Sequence, residues 1–260
     1  MIKQNKHTED FSMSRIVITA ASRVGCVRDN NEDMVLAYDK LIRSEAYKTE
    51  FMTENSDRFV IALADGMGGH NAGEVASEET LANLRYFISD LPSGLSQGDF
   101  NELIIEWLSS INKTIDSMGH ADASMANMGT TLVGVVYYNG KYYWLNCGDS
   151  RLYRLHDHRL VQITTDHSLN TITGQNRHSN VITNCIGAGC KNSYIDLFEF
   201  TGDFLPGDVF LLCSDGLSDM VSDTVIESLL NEHASANALC EAAIEAGGFD
   251  NVSACVFRVE

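Results

Sequence analysis

Seven short apolar runs constrain the fold of this chain more than any other feature. Residues 16–20, 59–64, 132–138, 142–145, 152–155, 209–213 and 253–259 are rich in β-branched or aromatic side chains, and Gly, Asn or Asp punctuates most of them, a strand pattern. Tyr138-Asn139-Gly140-Lys141 joins two of the runs; Asn and Gly tolerate positive φ, so a hairpin turn is predicted there. With His156-Asp157-His158 joining the next pair, residues 132–163 read as an antiparallel meander. Helical periodicity comes in two blocks. Residues 74–88 carry Leu81, Leu84 and Ile88 on one face, and residues 100–118 carry Leu103, Ile104, Trp107, Leu108, Ile111 and Ile115, a 3.6-residue stripe. Residues 223–231 and 235–246 predict two more helices, the second closed by Gly247-Gly248. Helices grouped between strands argue for an α+β layered fold with mostly antiparallel sheets, against a doubly wound parallel sheet. With only two prolines, no linker and no internal repeat, one domain is expected over residues 15–260, with residues 1–14 loose.

At 260 residues the chain can bury a sizeable core. A net charge of −18, with 18 Lys and Arg scattered along the chain, disfavours nucleic acid. The N-terminal stretch is polar and lacks the apolar core of a signal peptide. No run approaches the roughly 18 apolar residues of a membrane helix. The seven cysteines include no Cys-x-x-Cys. Cys147, Cys213 and Cys255 lie in apolar runs and read as reduced, buried side chains of a cytoplasmic protein. A metal role for Cys185 and Cys190 is disfavoured, because no thiol or His cluster accompanies them in sequence.

Six acidic residues stand at the tips of these runs or in Gly-rich turns. They are Glu32 and Asp33 in Arg28-Asp29-Asn30-Asn31-Glu32-Asp33, Asp65 in Ala64-Asp65-Gly66-Met67-Gly68-Gly69, Asp149 in Gly148-Asp149-Ser150-Arg151, Asp215 in Cys213-Ser214-Asp215-Gly216, and Asp250 in Gly247-Gly248-Phe249-Asp250-Asn251. Each alone reads as a turn or cap residue. Gathered at one end of a sandwich they would raise one another's pKa values. Hard divalent cations are the usual remedy, since they favour oxygen ligands. Glycines beside Asp65 let backbone carbonyls approach such a cation; the terminal Lys-Ser/Thr of a P-loop is absent. Arg28 is either a surface arginine paired with a local carboxylate or a fork for two phosphate oxygens.

Seven motifs occur in one order: Arg28-x-x-Asn31-Glu32-Asp33, Ala64-Asp65-Gly66-Met67-Gly68-Gly69-His70, Met128-Gly129-Thr130-Thr131, Gly148-Asp149-Ser150-Arg151, Asp166-His167-Ser168, Cys213-Ser214-Asp215-Gly216-Leu217 and Asp250-Asn251. Over residues 15–259 the chain resembles the metal-dependent serine/threonine protein phosphatases of type 2C (the PPM family), bacterial branch. The resemblance implies a four-layer αββα sandwich of two antiparallel β-sheets flanked by helices. It also implies two Mn2+ or Mg2+ ions with a weaker third. Asp65 would bridge both metals, Asp215 and Asp250 would complete the first, and the Gly66 carbonyl would serve the second, with Glu32 holding its waters. Asp33 would order a metal-bound water, and Asp149 with Asp215 would form the third site. Arg28 would clamp the substrate phosphate, and Asn251 would lie behind the ligands. Thr130, Thr131, Ser150 and Arg151 would fix strand corners. The implied reaction is hydrolysis of phosphoserine and phosphothreonine on proteins by direct attack of a metal-bridging water. A cognate serine/threonine kinase would supply the substrates of a monomeric enzyme, without nucleic-acid or membrane partners. Two departures stand out. Met67 replaces a His that some members carry as a proposed general acid, and His70 lies three residues on. Residues 169–180 are short and polar where bacterial members have a mobile flap. His167 reads as structural, His178 falls in the short flap, and Trp107 and Trp144 read as core. The competing readings are a pseudophosphatase, disfavoured by intact Glu32, Asp65, Asp215 and Asp250, and a small-molecule metallophosphoesterase with the same centre.

Overall fold

The computed structural model describes residues 14–68, 72–174 and 181–260. Residues 1–13 of the expected loose N-terminus, together with His70 and His178, lie outside the described residues. The elements run β1 (Arg15–Arg23), β2 (Met34–Ala37), β3 (Lys40–Ile42), β4 (Ala46–Met52), β5 (Arg58–Ala64), β6 (Gly66–Met67), α1 (Gly73–Asp90), α2 (Gln97–Ala121), β7 (Gly129–Thr130), β8 (Leu132–Tyr138) and β9 (Lys141–Cys147). They continue with β10 (Arg151–His156), β11 (Arg159–Gln162), α3 (Leu169–Thr173), β12 (Ile186–Gly187), β13 (Asp196–Glu199), β14 (Val209–Cys213), α4 (Asp215–Ser218), α5 (Asp223–Asn231), α6 (Ala236–Glu245) and β15 (Val252–Val259).

Two six-stranded sheets, ordered β11-β10-β14-β15-β1-β4 and β13-β9-β8-β5-β2-β3, form the sandwich, and a three-stranded sheet β12-β7-β6 adjoins it. The period of two along each strand divides the apolar residues between layers. On β5, Phe59, Ile61 and Leu63 point between the sheets, whereas Val60, Ala62 and Ala64 point to α1 and α2. On β14, Phe210 and Leu212 face inward, and Val209, Leu211 and Cys213 face α5 and α6. Both faces of these strands are covered, which is why they read as unbroken apolar runs rather than alternating ones. Helix α2 starts where the Ser96 Oγ accepts the Asp99 N–H at 3.2 Å. Helix α6 stops where Gly247 and Gly248 turn to positive φ and return their N–H groups to Ile244 and Ala243. The expected αββα arrangement of antiparallel sheets and flanking helices is therefore the observed one. Cys147, Cys213 and Cys255 are fully buried, as expected, and so is most of Trp107, at 5% exposure. Trp144 is only half-buried and stacks on the exposed Phe198, with ring centroids 4.8 Å apart.

The meander expected over residues 132–163 is not formed. β8 pairs with β9 and β10 pairs with β11, but β9 and β10 belong to opposite sheets. The chain crosses at Gly148-Asp149-Ser150, where Gly148 adopts φ +127, a conformation that L side chains avoid. That crossing replaces a hairpin and leaves Asp149 at the seam between the sheets.

The inter-sheet layer should dominate stability. Phe257 is fully buried there and lies 5.2 Å, centroid to centroid, from Phe210. Phe257→Ala should cost about 3–5 kcal/mol, read as a lower urea midpoint with unchanged slope; a loss below about 1 kcal/mol would contradict this packing.

Candidate metal centre

Antiparallel register brings the acidic corners to one pole. Met34 pairs with Ala64, Leu63 with Val133, Leu132 with Cys147, Arg151 with Cys213, Cys213 with Ala254 and Arg23 with Val252. All of these residues but Ala254, the third of β15, are the last or next to last of their strands at that pole. Glu32 and Asp33 before β2, Asp65 after β5, Asp149 after β9, Asp215 after β14 and Asp250 before β15 therefore arrive together, with Arg28 in the β1–β2 loop beside them.

Hydrogen bonds to the backbone and between side chains fix each corner. The Asp65 carbonyl accepts from the Thr131 N–H and the Thr130 Oγ1, both at 2.9 Å, and the Asp65 N–H donates to Thr131 Oγ1 at 3.0 Å. Thr131 Oγ1 meets Ser150 Oγ at 2.7 Å, and Arg151 forks onto Asp166 at 3.0 and 2.7 Å. These residues do fix the corners. Gly66 admits no side chain, because a Cβ there would lie 2.3 Å from the Gly73 carbonyl oxygen and 2.4 Å from that of Glu32. Glu32 Oε1 takes the Gly73 N–H at 3.3 Å. Asn251 ties the poles of two loops: its Oδ1 accepts the Glu32 N–H at 2.8 Å, and its Nδ2 donates to the carbonyls of Val24 and Asn30 at 3.0 and 2.8 Å. The buried His167 clamps the seam. Its Nδ1 accepts the Gly148 N–H at 3.1 Å, so the proton stays on Nε2, which donates to Asp196 at 3.1 Å.

A buried polar network escaped the sequence reading. Ser214 Oγ donates to Asp33 Oδ2 at 2.8 Å and accepts the Ser253 N–H at 3.0 Å. Ser253 Oγ reaches Ser22 Oγ at 2.8 Å, and Asn31 Nδ2 donates to Ser22 Oγ at 2.7 Å. Only the Asn31 and Ser214 positions within the motifs hinted at it; serines inside apolar runs carry no signal of their own. Asp219 also escaped. It lies one turn after Asp215 and adds its charge to the cluster.

Electrostatics reflect the crowding. Burial first, then the charges of Asp33, Asp215, Asp149 and Asp250, holds the Asp65 carboxyl well above the usual range. Burial likewise pushes Asp33 up to about 7, against the pull of the Ser253 and Ser214 hydroxyls. Asp149 is pushed up to about 7 by burial and by Asp215. Asp215 rises to about 6 through burial and Asp250, opposed by a hydrogen bond with the Asp65 carboxyl. Burial raises Glu32 as well, opposed by the Gly73 N–H. Buried Asp33 Oδ1 and Asp149 Oδ1 have no hydrogen-bond partner. Among the described residues, no three His, Cys, Asp or Glu side chains draw close enough to hold one ion as they stand. Asp65 pairs with Asp215 instead, and Arg28 pairs with Asp250 Oδ2 at 2.7 Å. An all-carboxylate donor set with two orphaned oxygens and raised pKa values fits hard divalent cations.

The protein phosphatase 2C family profile matches residues 44–245. The chain belongs to that family. It is 34% identical over 261 residues to the serine/threonine protein phosphatase PstP of Mycobacterium tuberculosis, with 95% of this chain covered, and it spans about half (46%) of that relative's length. Among solved structures it resembles the S. agalactiae serine/threonine phosphatase, with TM-score 0.79 and 26% identity over 94% of this chain and 100% of the other. It also resembles the catalytic domain of PstP in complex with two manganese ions, with TM-score 0.73 and 33% identity over 94% and 99% of the two chains.

The raised carboxyls make metal-free stability pH-dependent with a definite sign. A carboxyl whose folded pKa exceeds its unfolded value stabilises the fold fully below about pH 4, and this contribution is lost as pH rises through the folded pKa. In chelator, Asp149→Asn, which imitates the neutral acid, should match wild type near pH 4. By pH 7.5 it should be the more stable by at least about 1 kcal/mol, since one pKa unit is worth about 1.4 kcal/mol. Parallel unfolding midpoints across this window would contradict the raised Asp149.

Proposed function

We propose that this chain is a metal-dependent protein phosphatase that hydrolyses phosphoserine and phosphothreonine on proteins. One observation carries the reading: the mutual crowding of Asp33, Asp65, Asp149 and Asp215 at a buried pole. Such clustering costs stability unless cations occupy it. The names of the relatives and the manganese ions of one structural neighbour support it. Asp65, between the other carboxyls, would hold two Mn2+ or Mg2+ ions at once. Asp215 and Asp250 would complete one ion, and the Gly66 carbonyl and Glu32 the other. Asp33 would accept from a water of the centre, and Asp149 with Asp215 would hold a weaker third ion. Bound there, the ions would supply an activated water and positive charge for the phosphoryl oxygens. Arg28 is exposed and lies against Asp250, which puts a guanidinium at the mouth of the cluster, where it would fork onto the phosphate. Met67 pairs with Gly129 and has no proton to give, so the leaving serine or threonine oxygen would take its proton from water.

Residues 15–260 would act as one catalytic unit, a monomer in the cytoplasm working on targets of a cognate serine/threonine kinase. Seven free cysteines suit a reducing compartment, and no described helix is long and apolar enough to cross a membrane.

Phosphopeptide hydrolysis should require Mn2+ or Mg2+ and stop in EDTA. Folded Asp215→Asn should lose at least about 100-fold in kcat. Arg28→Ala should keep its Mn2+ affinity yet lose roughly 10- to 150-fold in kcat/KM, the worth of a charge-assisted fork. Full turnover in chelator would sink the metal mechanism. Turnover of small phosphoesters alone would favour a metallophosphoesterase, and no turnover with metal bound would leave a pseudophosphatase.

A further inference from the structure

Three thiols gather behind the small sheet that carries Gly66. Cys147 ends β9, Cys185 precedes β12, and Cys190 ends the loop that follows. Cys147 and Cys185 are buried, and Cys190 is half-buried. The Cys185 thiol donates to the Gly187 carbonyl at 3.7 Å, and the Cys190 backbone meets the same oxygen. The fold builds this contact. Asn112, buried on α2, accepts the Gly187 N–H at 2.6 Å and donates to the Cys190 carbonyl at 2.9 Å. The Cys190 N–H returns to the Gly187 carbonyl at 2.9 Å. Asp116, one turn further along α2, takes the Gly189 N–H at 3.3 Å, and Ser193 Oγ donates to the Cys185 carbonyl at 2.6 Å. Loop 185–190 is thus pinned to α2 with its two end cysteines drawn to one carbonyl, that of Gly187.

The thiols differ in reactivity. Burial pushes Cys185 up to about 12, which keeps it a thiol. Cys190 is the most exposed of the three, so a small oxidant meets it first.

We propose that Cys185 and Cys190 are a reversible disulfide site, with hydrogen peroxide as the oxidant and Cys190 as the thiol oxidised first. The Cys190 sulfur attacks one peroxide oxygen, the O–O bond breaks, and water leaves behind a sulfenic acid. The Cys185 sulfur then attacks the Cys190 sulfur; the S–S bond forms, the S–O bond breaks, and the hydroxyl departs as water with the Cys185 proton. Two thiols and one peroxide give one disulfide and two waters.

The loop is coupled to the acidic pole. Ile186 pairs with Thr130, and Thr130 with Gly66. The Ala188 N–H donates to the Met128 carbonyl at 2.7 Å, and Thr130 Oγ1 donates to the Asp65 carbonyl. Drawing the loop's ends together shifts β12 against β7 and, through Thr130, the Asp65 corner, weakening metal binding. This second part rests on the metal reading of Asp65; the cross-link does not.

Trypsin releases residues 178–191 as one peptide holding both cysteines and no other. The full chain is treated with hydrogen peroxide, alkylated and digested without reduction. The peptide should appear unalkylated and lighter by two hydrogens, and dithiothreitol should reverse this; Cys190→Ser, with an unchanged unfolding midpoint, should not form it. A sulfinic acid at Cys190, or a cross-link through Cys147 or Cys26, overturns the proposal. Calorimetric titration should show Mn2+ binding several-fold more weakly to the oxidised protein than to the reduced one, with no such change in Cys190→Ser. A disulfide without that shift overturns the coupling to Asp65. Failure of the reduced protein to bind Mn2+ overturns the metal reading and leaves the disulfide site standing.

Discussion

Repulsion among carboxylates at a buried pole is the constraint to which the surrounding structure answers. Asp65 feels Asp33, Asp215, Asp149 and Asp250 at once, on top of the cost of its own burial. Left to themselves, such groups would move apart or take up protons. They are kept together because each is anchored through its backbone at a strand end. The strands are clamped by two apolar layers on opposite sides, one between the sheets and one beneath the helices. The energy that gathers the charges is therefore hydrophobic burial along β5, β14 and β15, spent far from the carboxyls themselves.

A shell of neutral hydrogen-bonding groups lies behind the charges and keeps their geometry from relaxing. Thr130 and Thr131 fix Asp65, Ser214 fixes Asp33, Asn251 fixes Glu32, and His167 fixes the Gly148 turn before Asp149. None of these groups brings a compensating positive charge to the pole. Arg28 does, but from an exposed position against Asp250. The interior of the cluster thus keeps its negative character for a cation, while the Arg28 guanidinium stays at the rim against Asp250. The Asn112-pinned loop adds a further route from α2 to the same corner through β12 and β7.

Much of this architecture was legible because buried strands leave long apolar runs. β8 and β14 begin and end where the pattern places them, and the carboxylates follow at the tips. What escaped has a physical reason in each case. Edge strand β4, Ala-Tyr-Lys-Thr-Glu-Phe-Met, alternates exposed and half-buried residues and carries too little apolar signal. The two-residue strands β6, β7 and β12 are set by tertiary register and not by propensity. The false meander arose because β9 and β10 are both apolar, and composition does not say which sheet a strand joins. The motif spacing led to Asp65, Asp149, Asp215 and Asp250, but the Arg28–Asp250 pair matches the plain surface-arginine reading as well as a phosphate clamp. Ser22, Ser253 and Asn112 were silent because a hydroxyl or amide acquires its role only from the partner that folding brings to it.

Anomalous scattering from crystals grown with Mn2+ tests the central claim most directly. Strong peaks should lie against the Asp65 carboxylate, one shared with Asp215 and Asp250 and one shared with the Gly66 carbonyl, with the Asp65–Asp215 contact replaced by ligation of both groups. Peaks confined to surface carboxylates, with Asp65 still paired to Asp215, would contradict the account.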